Sequence, residues 1–413
     1  MIFIMKTRPK KPGLDRHPEL PAPGRREADP ALRGLAPRRI LMTTDPIGGV
    51  WTYGLELARG LAQHGIEVCI ATMGRPLRPA QREEAKGISS LRLYESNFKL
   101  EWMEDPWADL TLAGKWLLEL EAEVQPDLIH LNGYIHGALP WSAPVVVVGH
   151  SCVLSWWQAV HAEEAPASWD RYRAKVKEGI QAADLVLAPS QTMLLALERY
   201  YGGLPAAVFI YIGRDLSEKP NETKANFVLG AGRLWDEAKN LSVLADLSDQ
   251  LSWPVYLAGE FEFSPHLSRF TGAHLLGPLP ARELLGWFAR AAIYALPARY
   301  EPFGLTALEA ALSGCALVLG DIPSLREIWG DAALFAPPDN RGALRSILTE
   351  LMSDQGRVQA WAGRARERAQ RFTRARMASD YLQAYQRVLS PASPPRDGGF
   401  RVETERRTAL CAS

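Results

Sequence analysis

Two glutamates, Glu301 and Glu309, stand with seven residues between them in the run Glu-Pro-Phe-Gly-Leu-Thr-Ala-Leu-Glu. Residues 291–297 before the run are short, apolar and closed by Pro, the profile of a buried parallel strand and its exit. Residues 307–314 are rich in helix formers and end on a Gly suited to a C-cap. The two acids therefore belong to a strand-to-helix junction. In open parallel sheets ligands bind beyond the carboxyl ends of strands, and the unpaired N–H groups opening a helix attract phosphate. The amides of Phe303, Gly304 and Leu305, with Thr306 next in the turn, are expected to face a diphosphate. The plainer alternative is acids complementing the helix dipole, worth about 0.3–1 kcal/mol without any ligand.

Other residues could serve the same chemistry. A diphosphate that leaves during bond cleavage gathers negative charge, and fixed cations that meet it lower the barrier. Arg233 and Lys239 follow the apolar run 227–230; Arg grips phosphate bidentately and Lys acts as a compact charge. As isolated residues they read as a solvated loop. Gly48 and Gly49 follow another apolar run and precede a helix expected over 52–64, so the backbone there can approach an anion; a ligand-free tight turn is the alternative. His150 ends the run 145–148, where it either bonds a substrate hydroxyl or phosphate or serves as a structural His at a turn. His130 and His136 flank a loop and are secondary candidates for acceptor contact. No histidine pair has metal-ligand spacing, and no Asp-x-Asp triplet occurs to hold a divalent ion on a diphosphate.

Positioning these groups requires strands and helices in alternation. Apolar runs at 39–43, 68–71, 128–131, 145–148 and 185–188, then at 227–230, 255–258, 293–296 and 316–319, predict two doubly wound parallel sheets. The chain's 413 residues suit two domains with a cleft between them. Lys plus Arg and Asp plus Glu number 47 each, so charge gives no reason to expect nucleic acid as a partner. Cys69, Cys152, Cys315 and Cys411 are scattered, as reduced thiols are. No apolar run is long enough to cross a bilayer and no signal peptide is evident, so a cytoplasmic location is expected, at most peripheral to the inner membrane face. Residues 1–39 carry ten Lys or Arg against four Asp or Glu and are rich in Pro; they read as a solvated extension or as a tether to anionic lipid. Thirteen tryptophans, eight of them from Trp51 to Trp169, read as large core side chains or as faces for stacking on sugars; Trp156 and Trp157 suggest a saccharide or lipid-linked acceptor.

In ordered combination the motifs carry a resemblance. Ile47-Gly-Gly-Val50, Gly230-Ala-Gly-Arg-Leu234 with Lys239, Glu301 to Glu309, and Gly320-Asp-Ile-Pro-Ser-Leu-Arg-Glu327 follow one another as they do in the retaining GT-B glycosyltransferases of family 4. The chain resembles that family from about residue 38 to residue 390. It departs from the family pattern at 235–238 and at Ile210-Tyr-Ile-Gly-Arg-Asp215, where Pro-Asn-Gly-Val-Asp is usual. The resemblance implies α/β architecture: two Rossmann-like domains facing across a cleft, and a C-terminal helix that crosses back to the first. Boundaries follow: a disordered basic tail at 1–38, an acceptor domain at 39–216, a linker at 217–224, a donor domain at 225–370, the crossing helix at 371–390 and a disordered tail at 391–413. Residues 341–355 and 358–388 are expected as the last helices.

The function implied is metal-independent transfer, with retention, of a sugar from a nucleoside diphosphate to a saccharide or lipid-linked hydroxyl, with no cofactor. Glu309 would accept from the ribose hydroxyls, Glu301 would hold the sugar ring, Gly48 and Gly49 would line the donor phosphates, Arg233 and Lys239 would meet the charge of the leaving group, and His150 would bond a sugar hydroxyl or the phosphate. The alternatives are a sugar-nucleotide epimerase or phosphorylase of the same fold, and a catalytically silent binding or scaffold subunit.

Overall fold

The computed structural model describes residues 36–216, 223–260 and 270–390. Nearly all of both expected tails and most of the expected linker lie outside the described residues.

Two all-parallel sheets carry the fold. The first contains β1 (Arg39–Thr44), β2 (Glu67–Thr72), β3 (Leu91–Glu95), β4 (Leu128–Leu131), β5 (Val145–Val148), β6 (Leu185–Ala188) and β7 (Ala207–Phe209), in the order β3-β2-β1-β4-β5-β6-β7. The second contains β8 (Ala225–Ala231), β9 (Val255–Ala258), β10 (His274–Gly277), β11 (Ala291–Leu296), β12 (Ala316–Gly320) and β13 (Leu334–Ala336), in the order β10-β9-β8-β11-β12-β13. Central strands such as β5 and β11 are buried along their whole length, which is why they read as continuous apolar runs. The sequence reading missed β3, β7, β10 and β13, and these four are the sheet edges. Each is partly exposed, so an edge strand has no need of the unbroken apolar run that marks an interior one.

Helices cover both faces of each sheet. In the first domain they are α1 (Gly49–Ala62), α2 (Pro79–Lys86), α3 (Trp107–Val124), α4 (Val153–His161), α5 (Asp170–Ala182) and α6 (Gln191–Tyr201). The second has α7 (Ser242–Leu247), α8 (Ala281–Arg290), α9 (Leu305–Leu312), α10 (Pro323–Trp329), α11 (Arg341–Met352) and α12 (Gln355–Ala369), followed by α13 (Arg374–Leu389). The single helix expected over 358–388 is in fact α12 and α13, because Thr373 caps a new helix by accepting from Arg376 N. The break lets α12 pack on β12 and α9 while α13 turns back onto α1.

Sheet order fixes where a ligand can sit. The winding reverses between β1 and β4 in one sheet and between β8 and β11 in the other, and each reversal opens a crevice at the carboxyl ends of its strands. Asp45 to Gly49 and Asn132 leave the first crevice; Arg233 and the loop to Glu301 leave the second.

Candidate active site

The two crevices face each other at close range. Nη1 of Arg233 lies 3.6 Å from where a side chain on Gly48 would begin, and Leu305 Cδ1 lies 3.2 Å from the same point on Gly49. Gly48 has φ 100° and Gly304 φ 90°, left-handed values that both strand-to-helix turns require and that L side chains adopt only under strain. Each glycine is the N-cap of its helix, α1 or α9. Two helix N-termini thus open toward the gap between the sheets.

On the second-domain side, Nη2 of Arg233 donates to Oδ2 of Asp236 at 2.6 Å. Oδ1 of Asp236 accepts from Trp156 Nε1 and from Ala238 N, both at 3.0 Å. Burial alone would raise the Asp236 carboxyl, but Arg233 and Lys239 beside it hold it below the usual range. Nε of Arg233 is buried without a hydrogen-bond partner. Lys239 Nζ donates to Glu301 Oε2 at 2.7 Å, while Glu301 Oε1 accepts from Gly304 N at 3.0 Å and Phe303 N at 3.4 Å. The carboxylate of Glu301 therefore occupies two of the amides expected to meet phosphate. Leu305 and Thr306, at the start of α9, keep N–H groups that the helix itself cannot satisfy. Thr306 Oγ1 is turned inward, 2.7 Å from the hydroxyl of buried Tyr294, and the Phe303 ring packs among Tyr211 and Phe372. Glu309, in the second turn of α9, lies 2.6 Å from Nε of Arg214, and burial raises its carboxyl against the pull of that guanidinium.

The first-domain side is organised around Asn132. Its Nδ2 donates to Thr43 O at 2.7 Å, which leaves Oδ1 to accept from His150 Nε2 at 2.8 Å and His130 Nε2 at 3.1 Å. Both imidazoles then carry their proton on Nε2. Burial, with His130 adjacent, pushes His150 down to about 3, so it is neutral and offers Nδ1 as an acceptor. His130 does not reach an acceptor site: it is fully buried, with Nδ1 on the Tyr385 hydroxyl at 2.7 Å. His136 borders a pocket at the ends of β1 and β4, yet its Nε2 is committed to Leu110 O at 3.1 Å.

That pocket also takes in Asp45, Glu101, Asn132 and Trp102. Burial pushes the Asp45 carboxyl up to about 6 and the Glu101 carboxyl up to about 7. Sequence reasoning missed both acids; for Asp45 the available signal was an Asp at a strand end directly before Pro-Ile-Gly-Gly. Of the tryptophans, Trp102 is 38 % exposed and can offer a face, whereas Trp156 has its N–H tied to Asp236 across the cleft. Further bonds close that cleft: Tyr300 OH accepts from Cys152 N at 3.2 Å, and Arg75 and Arg78 both reach Oε1 of Glu260. Among the described residues no three His, Cys, Asp or Glu side chains converge to hold a metal ion, and no helix is long and apolar enough to cross a membrane.

Both halves of the chain match known proteins. Residues 47–218 match the family model described as Glycosyltransferase Family 4, and residues 225–354 match Glycosyl transferases group 1. A D-inositol 3-phosphate glycosyltransferase of Xylanimonas cellulosilytica is 26 % identical over 411 residues, covering 86 % of this chain and 97 % of its own length. Among solved structures, the sucrose-phosphate synthase of Thermosynechococcus elongatus superposes with a TM-score of 0.70 at 18 % identity, covering 84 % of this chain and 98 % of that one. Anabaena HepE, solved with UDP and glucose, gives 0.68 at 17 % identity, over 84 % and 99 %. Two consecutive family models spanning most of the chain, on paired Rossmann-like domains of GT-B type, place it in one group: the chain belongs to the family 4, group 1 glycosyltransferases.

Proposed function

We propose that this glycosyltransferase moves a sugar from a nucleoside diphosphate to a saccharide or lipid-linked hydroxyl, with retention at the anomeric carbon and without a metal ion. The observation that carries the reading is the convergence of Arg233, Lys239 and the N-termini of α1 and α9 on one gap between the sheets. The diphosphate lies in that gap. Its oxygens take the unpartnered Nε–H of Arg233 and the free amides of Leu305 and Thr306, and Gly48 and Gly49 admit it without a side chain in the way. Glu301 exchanges the amides of Phe303 and Gly304 for hydroxyls of the donor sugar and stays beside Lys239. Glu309 accepts from the ribose, and neutral His150 accepts a sugar hydroxyl at Nδ1.

In the reaction the bond from the anomeric carbon to the phosphate oxygen breaks as the bond to the acceptor oxygen forms on the same face. The acceptor proton passes to the departing phosphate. Arg233, Lys239 and the two helix N-termini meet the charge that gathers on that phosphate, in a cleft bridged by the Trp156–Asp236 and Cys152–Tyr300 hydrogen bonds. Side-chain cations in this position do the work a divalent ion would otherwise do. The acceptor enters from the pocket of Asp45, Glu101 and Trp102.

The test is thermal stabilisation by UDP, GDP, ADP and TDP and their sugar conjugates, followed by product NMR in EDTA. A ligand at a hundred times its Kd should stabilise by about 2.7 kcal/mol. One base should shift the wild type and not Arg233→Ala, with the anomeric configuration kept and EDTA without effect. Inversion at the anomeric carbon, or activity lost in EDTA and restored by a divalent ion, would sink the mechanism; no shift with any nucleotide would sink the donor assignment.

A further inference from the structure

Arg214 lies in the link between the sheets, and its guanidinium reaches a carboxylate in each domain. Nε stands 2.6 Å from Oε1 of Glu309 on α9, and Nη1 stands 3.3 Å from Oε1 of Glu56 on α1. The Glu309 contact is an ion pair rather than an aligned hydrogen bond, since Nε has no acceptor in line with its N–H. The three side chains are nearly dry, with 9 % of Arg214, 3 % of Glu56 and 10 % of Glu309 exposed. Arg374, opening α13, donates to the other oxygen of Glu56 at 2.7 Å, and Arg59 adds a third cation at 2.8 Å. Main-chain geometry is fixed too, because Arg214 N donates to Phe372 O at 3.0 Å. Arg214, Glu56 and Arg374 border a cavity of about 340 Å³ that also touches Leu285 of α8, a volume suited to a small-molecule group.

Arg214 stands where the family pattern this chain resembles has Val. We propose that Arg214 is a positioning residue for the nucleoside end of the donor: anchored to Glu56 and to the start of α13, it orients Glu309 so that Oε2 receives a ribose hydroxyl. The inference rests on the role given to Glu309 above. Burial acts against the Glu309 charge, as do Glu56 on α1 and Glu84 on α2, and Arg214 is the cation that opposes them; Arg59 and Arg374 spend their contacts on Glu56. Because the same guanidinium spans both domains, occupying Glu309 and holding the domains together become linked events.

The experiment is calorimetric titration of the full chain with UDP, GDP, ADP and TDP at several values between about pH 6 and pH 8, on wild type, Arg214→Val, Arg214→Lys and the double variant Arg214→Val/Glu309→Gln. The wild-type profile, which includes the titration of the nucleotide's own terminal phosphate, is the reference. Arg214→Val should bind about tenfold more weakly, since a charge-assisted contact sets the geometry, and should weaken further as pH falls and the unpaired Glu309 takes a proton. Arg214→Lys should restore most of the affinity, and Glu309→Gln should abolish the added pH slope. A merely structural role for Arg214 would not create that slope. Where Arg214→Val melts below the assay temperature, Arg214→Gln, which keeps the size and loses the charge, carries the same expectation. An Arg214→Val or Arg214→Gln protein with wild-type affinity and the wild-type pH profile overturns the inference and leaves the donor site standing; a wild type that binds none of the four nucleotides overturns both.

Discussion

Replacing Asp236 by Asn changes one atom in a group that joins Arg233, Lys239 and Trp156. Oδ1 keeps its role, because an amide oxygen can still accept from Trp156 Nε1 and Ala238 N. The other position becomes an NH₂ facing Arg233 Nη2 across 2.6 Å, donor against donor. A hydrogen bond between charged groups is worth about 1.5–3 kcal/mol, and Arg233 is 34 % exposed, so solvent screening puts this one at the low end. An amide left buried beside a second donor adds a penalty of similar size, for a total near ~3 kcal/mol. With a urea slope of about 3 kcal/mol/M, the midpoint should fall by about 1 M. Arg233, released from Asp236, should lose its aim at the leaving phosphate, and kcat/KM for the donor should drop by about 10- to 100-fold. The assays are urea unfolding followed by tryptophan fluorescence and steady-state kinetics on the same preparation. An Asp236→Asn protein with wild-type midpoint and wild-type kcat/KM would refute the claim that this carboxylate organises the cation site.

Other perturbations have separable outcomes. Trp156→Phe removes one donor from Asp236 and keeps the ring, so it should cost about 1 kcal/mol and raise the donor KM more than it lowers kcat, read by the same two assays. Gly304→Ala forces a side chain to φ 90°, which should cost about 1–2 kcal/mol in urea unfolding and weaken nucleotide binding by disturbing the turn that presents the Leu305 and Thr306 amides. Stability should depend on pH through two opposed pairs. His130 and His150, pushed down to about 4 and about 3, bind protons only when unfolded, so their contribution is lost as pH falls below the ordinary His range. Asp45 and Glu101, pushed up to about 6 and about 7, bind protons more readily when folded and act in the other direction above the ordinary carboxylate range. An Asp45→Asn/Glu101→Gln double variant should therefore lose stability more steeply than wild type as pH drops from about 6 to about 4.5, by up to ~2.7 kcal/mol per pH unit, and parallel denaturation profiles would contradict it.

How far the sequence spoke for itself depended on the range of the interactions concerned. Continuous apolar runs located every interior strand, because a strand buried on both faces has no polar position to spare. The four edge strands lacked that constraint and went unseen. Strand ends and helix starts sufficed to bring Arg233, Lys239 and Glu301 to one crevice, since sheet order dictates where those loops emerge. Nothing local marked Asp236 as the partner of Trp156, eighty positions away, or Arg214 as a bridge from Glu56 to Glu309. Those contacts come from docking one domain on the other, and no periodicity within either domain encodes them. The expected long C-terminal helix failed for a smaller reason: an apolar stripe continues across Phe372, while the capping Thr373 starts a new helix within it.

The return of α13 onto α1 has a consequence for synthesis on the ribosome. The ring of His130 in β4 finds the hydroxyl of Tyr385 only 255 residues later, and Tyr381 and Tyr385 close a buried aromatic group with Tyr53 of α1. The first domain therefore leaves the ribosome with its strands complete and one wall of its core open to water. Until the final helix arrives, that wall is an apolar surface exposed to other chains, a hazard of nonlocal contacts in larger proteins. A chain truncated before Arg374 would keep every proposed donor and acceptor residue and still lack the cover over His130, and should therefore aggregate more readily than the full chain.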